Sequence, residues 1–195
     1  MAIETPRYQV LKELGDIELR EYPASVVAQT DVEGDRDEVG GEAFRLLAGY
    51  IFGNNHGQKK IAMTAPVTQE PTTGTKIPMT APVTQERSAA GPRMWRVQFM
   101  MPSVYTLETL PEPKDPRVLL RRLPPRRVAA IRYSGTWSQR NYELHLRTLT
   151  AALKRENLVP TGQPIWARYD PPFKPWFLRT NEILIEVAAG PAPGG

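Results

Sequence analysis

The chain has no cysteine in its 195 residues and only two histidines, His56 and His145. Without thiols there is no disulfide, zinc–thiolate site, iron–sulfur cluster or cysteine nucleophile. Two imidazoles are too few for a multi-histidine metal site. No apolar run approaches the ~20 residues that a membrane-crossing helix needs. Neither a glycine-rich phosphate loop nor a G-x-S-x-G elbow nor a paired-carboxylate motif is present, so the sequence offers no enzyme signature. The opening "MAIETPRYQV" lacks the apolar centre of a signal peptide, and a cytoplasmic protein is expected.

What is present is a mildly basic chain. It carries 25 Lys and Arg against 21 Asp and Glu, a net charge of +4. That charge tolerates an anionic ligand without demanding one. Aromatic and basic residues do not alternate as in single-strand binders, and no helix-turn-helix pattern occurs, so no nucleic-acid partner is expected. A chain of this length can bury roughly 70% of its unfolded surface and needs no staples. The closing "GPAPGG" has nothing to bury. A single domain over 1–190 is expected, monomeric, with a disordered tail at 191–195.

Two segments carry a helical period. In "GDRDEVGGEAFRLLAGYIFG" (34–53), Asp35 suits an N-cap and Glu38 completes a capping box. Val39, Ala43, Leu46, Leu47, Tyr50 and Ile51 then share one face. In "SQRNYELHLRTLTAALKRENLVP" (138–160), Ser138 suits the N-cap and Tyr142, Leu146, Leu149 and Leu153 form the stripe. The rest reads as short strands: "IELREY", "SVVAQTDV", "KIAMTAPV", "WRVQFMMP", "VLLRRL", "RVAAIRYSG", "IWARYD" and "EILIEV".

Two repeats run through the chain. The conspicuous one doubles a phrase, "KIAMTAPVTQE" at 60–70 and "KIPMTAPVTQE" at 76–86. Pro66, Pro78 and Pro82 each lack an N–H, so the pair is expected to form a hairpin-like or irregular arm at a sheet edge. The fainter repeat aligns "IELREYPASVVAQTDVEG" (17–34) with "VLLRRLPPRRVAAIRYSG" (118–135). Arg20 then meets Arg121, Pro23 meets Pro124, and Gly34 meets Gly135, each copy leading into a helix. The chain thus reads as an α+β fold of two ββαββ-like halves, about 8–109 and 117–188, in one pseudo-symmetric domain.

Four stretches resemble the SOUL/haem-binding protein family, and together they cover nearly the whole chain. They are "IETPRYQVLKELGDIELREYP", "FRLLAGYIFGNN" with "KIAMTAPV", "WRVQFMMPSVYTLETLPEP", and "YDPPFKPWFLRTNEILIEV". The resemblance implies a distorted β-barrel of two repeats with two flanking helices. It also implies non-covalent binding of haem or another tetrapyrrole at a shallow apolar surface. That surface would lie between the first helix and the "YDPPFKP" loop.

On this sequence the implied site comprises Phe44, Arg45, Leu47, Ala48 and Ile51 on the helix, with Pro171, Pro172, Phe173 and Lys174 on the loop. Basic side chains there would face the propionates. His56 is the candidate axial ligand, since one imidazole can hold haem iron; a solvated loop histidine is the alternative. Met63 and Met79 read as core or pocket-lining residues, and His145, at the edge of the second helix's stripe, as satisfying a local hydrogen bond rather than binding metal. Tyr169, Phe173, Trp176 and Phe177 form an aromatic cluster that serves either as a structural clasp or as a ligand wall. Arg179 and Glu182 are expected to pair near the last strand. The alternatives are a sensor-type domain for other amphipathic small molecules, or an enzyme acting on them.

Overall fold

A computed structural model describes residues 5–34, 36–62, 65, 67–72, 94–170 and 173–188, with 36–40 and 69–72 as backbone alone. The expected cap at Asp35, the side chain of Glu38, Met63, Met79, the second phrase at 76–86, Pro171, Pro172 and the 191–195 tail lie outside what is described.

Among the described residues there are nine strands and two α-helices. In chain order they are β1 (Gln9–Glu13), β2 (Ile17–Tyr22), β3 (Ser25–Glu33), α1 (Arg36–Ile51), β4 (Val67–Thr72), β5 (Met94–Met100), β6 (Leu119–Leu123), β7 (Arg126–Tyr133), α2 (Gln139–Arg155), β8 (Ile165–Arg168) and β9 (Asn181–Glu186). The sheet order is β1-β2-β7-β9-β8-β4-β5-β3-β6, and the pairings are antiparallel. The expected barrel does not close: β1 and β6 remain the two free edges of an open sheet.

The doubled phrase corrects a second expectation. The end of its first copy, from Val67, is not at an edge, because β4 pairs on one side with β5 and on the other with β8. The prolines do not prevent this. The strand starts just after Pro66, and Pro71 lies beyond Gln69, where pairing with β8 ends. A missing N–H is tolerated where a strand has lost one neighbour.

Both helices pack on one face of the sheet, α1 over β3 and β5, α2 over β7 and β9. Alternation along each strand sorts side chains between the two faces. In β7, Ala129 and Ile131 join Leu149 and Leu153 of α2, while Val128 and Ala130 join Ile165 and Leu184 on the opposite face. Helix α1 buries Ala43, Leu47, Tyr50 and Ile51 against Ala28, Val97 and Phe99. Each large aliphatic side chain buried this way contributes about 1.5–3 kcal/mol. Helix α2 starts as expected, with Ser138 Oγ accepting from the Asn141 N–H. Gly135 sits just before it at φ +114°, where a Cβ would fall 2.9 Å from Asn141 Nδ2. The left-handed turn and the close approach both require glycine there.

Candidate functional site

On the sheet face away from the helices, the strands place an ion-pair knot. Ile183 and Ile185 point into the α2 core, so Glu182 and Leu184 point the other way. Arg20 does the same between Leu19 and Glu21 of β2. Arg20 Nη2 donates to Glu182 Oε1 at 2.9 Å and Nη1 to Oε2 at 3.1 Å. Arg132 Nε adds a bond to Oε1 at 2.9 Å, and the Tyr169 hydroxyl donates to Oε2 at 2.5 Å. Arg20 also donates to Glu18 and to the Tyr22 hydroxyl, and its guanidinium lies 4.2 Å from the centre of the Tyr8 ring.

These contacts fix the protonation states. Burial alone would raise the Glu182 carboxyl, but the bonds and charge of Arg20, with help from Tyr169 and Arg132, hold it below the usual carboxylate range. Burial and the neighbouring Glu182 charge push the Tyr169 hydroxyl well above its ordinary value. The result is an ionised carboxylate with both oxygens occupied, suited to fixing charge rather than moving protons. The expected Arg179–Glu182 pair gives way to this knot; Arg179 Nε donates to the Lys174 carbonyl oxygen and its guanidinium rests over Trp137.

Beside the knot, a cavity of about 320 Å³ opens between the β2–β3 turn, the β6–β7 turn and the segment after β5. Its walls include Tyr22, Val27, Met100, Leu123, Tyr169 and Leu184. The chain at 5–7 forms one side. A smaller cavity of about 210 Å³ lies past it, against Tyr8, Arg132 and Thr180.

The helix and loop residues expected to form a site are distributed differently. Leu47 (0% exposed), Ile51 (1%) and Ala48 (8%) lie in the core beneath α1. Phe44 is 40% exposed and meets Phe99 edge-on with ring centres 5.5 Å apart. Arg45 is exposed and has no ion pair among the described residues. The pairing of Val67 with Arg168 brings the loop after β8 to the sheet end where the chain arrives from α1. In that loop Phe173 is 86% exposed, and Trp176, Phe177 and Leu178 are each more than half exposed. The loop is held from below by Asp170, which accepts from Lys174 Nζ at 2.6 Å and from the Thr180 N–H.

His56 is exposed in the turn after α1, its backbone N–H bonded to the Glu112 carbonyl. His145 stacks on Tyr133 at 4.1 Å, with Nδ1 2.8 Å from the Asn141 carbonyl oxygen. No group of three or more His, Asp or Glu suited to a metal occurs among the described residues. No helix among them is long and apolar enough to cross a membrane. The knot and the cavity escaped sequence reasoning. Glu182 sits in "RTNEILIEV" and Arg20 in "IELREY", and only the sheet order brings these strands to β7.

No curated protein sequence matches the chain. Solved structures share its fold. The C-terminal domain of EcmrR has a TM-score of 0.61 at 12% identity, covering 93% of this chain and 98% of its own. An uncharacterized conserved protein from Listeria innocua has a TM-score of 0.63 at 15% identity, covering 88% and 92%. A hydrolase from the same organism has a TM-score of 0.60 at 14% identity, covering 88% and 91%. The model of the SOUL heme-binding protein family matches residues 3–186, nearly all of the sequence, and the chain therefore belongs to that family.

Proposed function

We propose that this domain binds haem or a related tetrapyrrole non-covalently on its outer surface, as a carrier, buffer or sensor. The site is the surface of α1 together with the loop after β8. The observation that carries this is the uncovered aromatic and aliphatic ridge of Phe173, Trp176, Phe177 and Leu178. Exposed apolar groups gathered in one loop mark an interaction surface. A flat macrocycle laid on such a ridge gains about 25 cal/mol for each Å² of apolar surface removed from water, without a bond to iron.

The residues fit the group in both halves of its chemistry. Phe44, Phe173 and the loop prolines Pro171 and Pro172 would meet the ring. Arg45 and Lys174 would meet the propionates, Lys174 by exchanging its partner Asp170. Leu47, Ala48 and Ile51 act from below, as the packed base that fixes Phe44 and Arg45. Holding of this kind needs no iron ligand: His56, the axial candidate of the sequence, sits in the turn fixed to Glu112, and haem would supply the visible absorption by which binding is read. A binding role suits Glu182, the buried acid, whose two oxygens are both occupied.

On this proposal the binder is one domain built from two repeats. Supporting it, exchanging β2–β5 with β6–β9 turns the order β2-β7-β9-β8-β4-β5-β3-β6 into its own reverse. Hemin titration of the recombinant protein tests the function. A saturable shift of the Soret band at micromolar or tighter affinity is expected, and the absence of saturable binding rejects the proposal.

A further inference from the structure

We infer that the cavity between the β2–β3 and β6–β7 turns is a second ligand site, and that it takes a small amphipathic carboxylate with an aromatic or branched apolar body. Its volume of about 320 Å³ falls at the low end of small-molecule pockets. The floor and walls are apolar and aromatic, with Tyr22, Tyr105 and Tyr169 around Val27, Met100 and Leu184.

The sign of the ligand follows from the charged groups. Among the described residues, three guanidinium side chains line the cavity, Arg7, Arg122 and Arg126, and no carboxylate does. Arg7 is exposed and has no ion pair among the described residues. Arg126 Nη1 bonds Glu186 at 2.8 Å, and Arg122 meets Glu108 at 3.5 Å across an exposed gap. Both of these acids lie outside the lining. A guanidinium has five N–H donors, so one bond to Glu186 leaves Arg126 able to grip a second carboxylate.

A cationic ligand would need an acid to meet it. The nearest buried one is Glu182, under Tyr169, and it is fully buried with both oxygens bonded to Arg20, Arg132 and Tyr169. Prying it open for a cation would take from Arg20 and Arg132 the carboxylate they share. The asymmetry also has an origin in the faint repeat: at the offset of 101, Ser25 corresponds to Arg126 and Tyr22 to Leu123, and all four line the cavity. The first half supplies the ring and the hydroxyl; the second supplies the charge.

The test uses two isosteric probes of opposite charge, 2-naphthoate and 2-naphthylmethylammonium, followed by calorimetry and by methyl NMR of Met100, Leu123 and Leu184. Naphthoate is expected to bind saturably and to move these methyls. The ammonium probe should bind at least about tenfold more weakly, the equivalent of one charge-assisted hydrogen bond. Arg126→Gln should lose about tenfold for naphthoate, with Arg126→Lys in between. Leu123→Trp, which fills the space without touching charge, should abolish naphthoate binding while hemin binding persists. Arg140→Gln, on the exposed face of α2, serves as the control and should change nothing. Equal or tighter binding of the cation overturns the inference, as does unaltered naphthoate affinity in Leu123→Trp. Hemin added to naphthoate-saturated protein separates the two sites: retained hemin affinity supports them as distinct, and mutual displacement rejects a second site. Loss of hemin binding alone would leave the cavity standing and reject only the outer-surface proposal.

Discussion

Arg20 and Glu182, 162 residues apart in the sequence, form a two-point ion pair in which the side chains are 1% and 0% exposed. Their strands are not neighbours: β7 lies between them in the sheet. The pair therefore crosses over β7, and Arg132 of that strand closes the bridge onto the same carboxylate.

Truncating Glu182 takes from the buried Arg20 guanidinium its buried carboxylate and leaves it only the partly exposed Glu18. Removing one member of a buried pair costs about 3–5 kcal/mol, mostly as the penalty of the charge left behind. Glu182→Ala is expected to lose stability of that order in urea denaturation. The double variant Arg20→Met with Glu182→Leu should recover most of the loss, since apolar replacement of a buried pair is often neutral or better. A double variant no more stable than Glu182→Ala would mean that the knot contributes through its geometry rather than its charge balance.

The same group sets the acid limb of the stability profile. Its folded pKa is depressed, so the unfolded chain takes up the proton first as pH falls. The contribution is present above the ordinary glutamate value of about 4.3 and is lost as pH drops through the folded value. Wild-type stability should fall over that window more steeply than that of Glu182→Ala. Parallel curves would remove Glu182 as the titrating group.

At the alkaline end the sign reverses. Burial raises the hydroxyls of Tyr169 and Tyr22, and pushes Tyr50 up to about 12. A raised pKa gives stability that is present below the unfolded value of about 10 and is lost as pH climbs toward the folded value. Stability should therefore decline above that point, and spectroscopic titration should show tyrosines that ionise only on unfolding. Tyr50→Phe, which loses one bond to the Pro111 carbonyl, should flatten part of this limb.

Much of this fold is legible from local pattern. The periodic stripes of α1 and α2 and the Ser138 cap appear where spacing and capping chemistry put them. The inner position of β4 is not legible that way, because the effect of a proline depends on which neighbours its strand has at that point. Pro66 falls just before β4, and Pro71 falls where only one neighbour remains, which is a matter of register and not of composition. The knot is hidden for a related reason. Nothing in "IELREY" distinguishes Arg20, which is buried, from Glu21 beside it, until β2, β7 and β9 are laid side by side.

Asn55 gives a local test. It is fully buried in the turn after α1, where Nδ2 donates to the carbonyls of Tyr50 and Lys59 and Oδ1 accepts from the Lys59 N–H. The side chain thus stands in for backbone that cannot pair with itself. Asn55→Ala should cost about 1–3 kcal/mol, because buried polar groups lose their partners. Asn55→Asp should also destabilise, since a carboxylate cannot donate to two carbonyls. A neutral Asn55→Ala would mean that water replaces the side chain.

The histidines test how the tetrapyrrole is held. His145 has its Nδ1 beside the Asn141 carbonyl and its ring against Tyr133, so it serves α2 and is remote in role from any ligand. His56 belongs to a turn fixed to Glu112 and Pro113 rather than to the aromatic ridge. Hemin affinity should therefore survive His56→Ala and His145→Ala, with His145→Ala losing stability only. By contrast, Phe173→Ala combined with Trp176→Ala removes much of the exposed ridge, and Arg45→Gln and Lys174→Gln remove the charges offered to the propionates. Each of these should weaken hemin, the aromatic pair more than either charge, because desolvated apolar area outweighs solvent-screened attraction at an exposed surface. Loss of the Soret shift in His56→Ala, with the ridge variants unaffected, would move the site from the loop to the turn after α1.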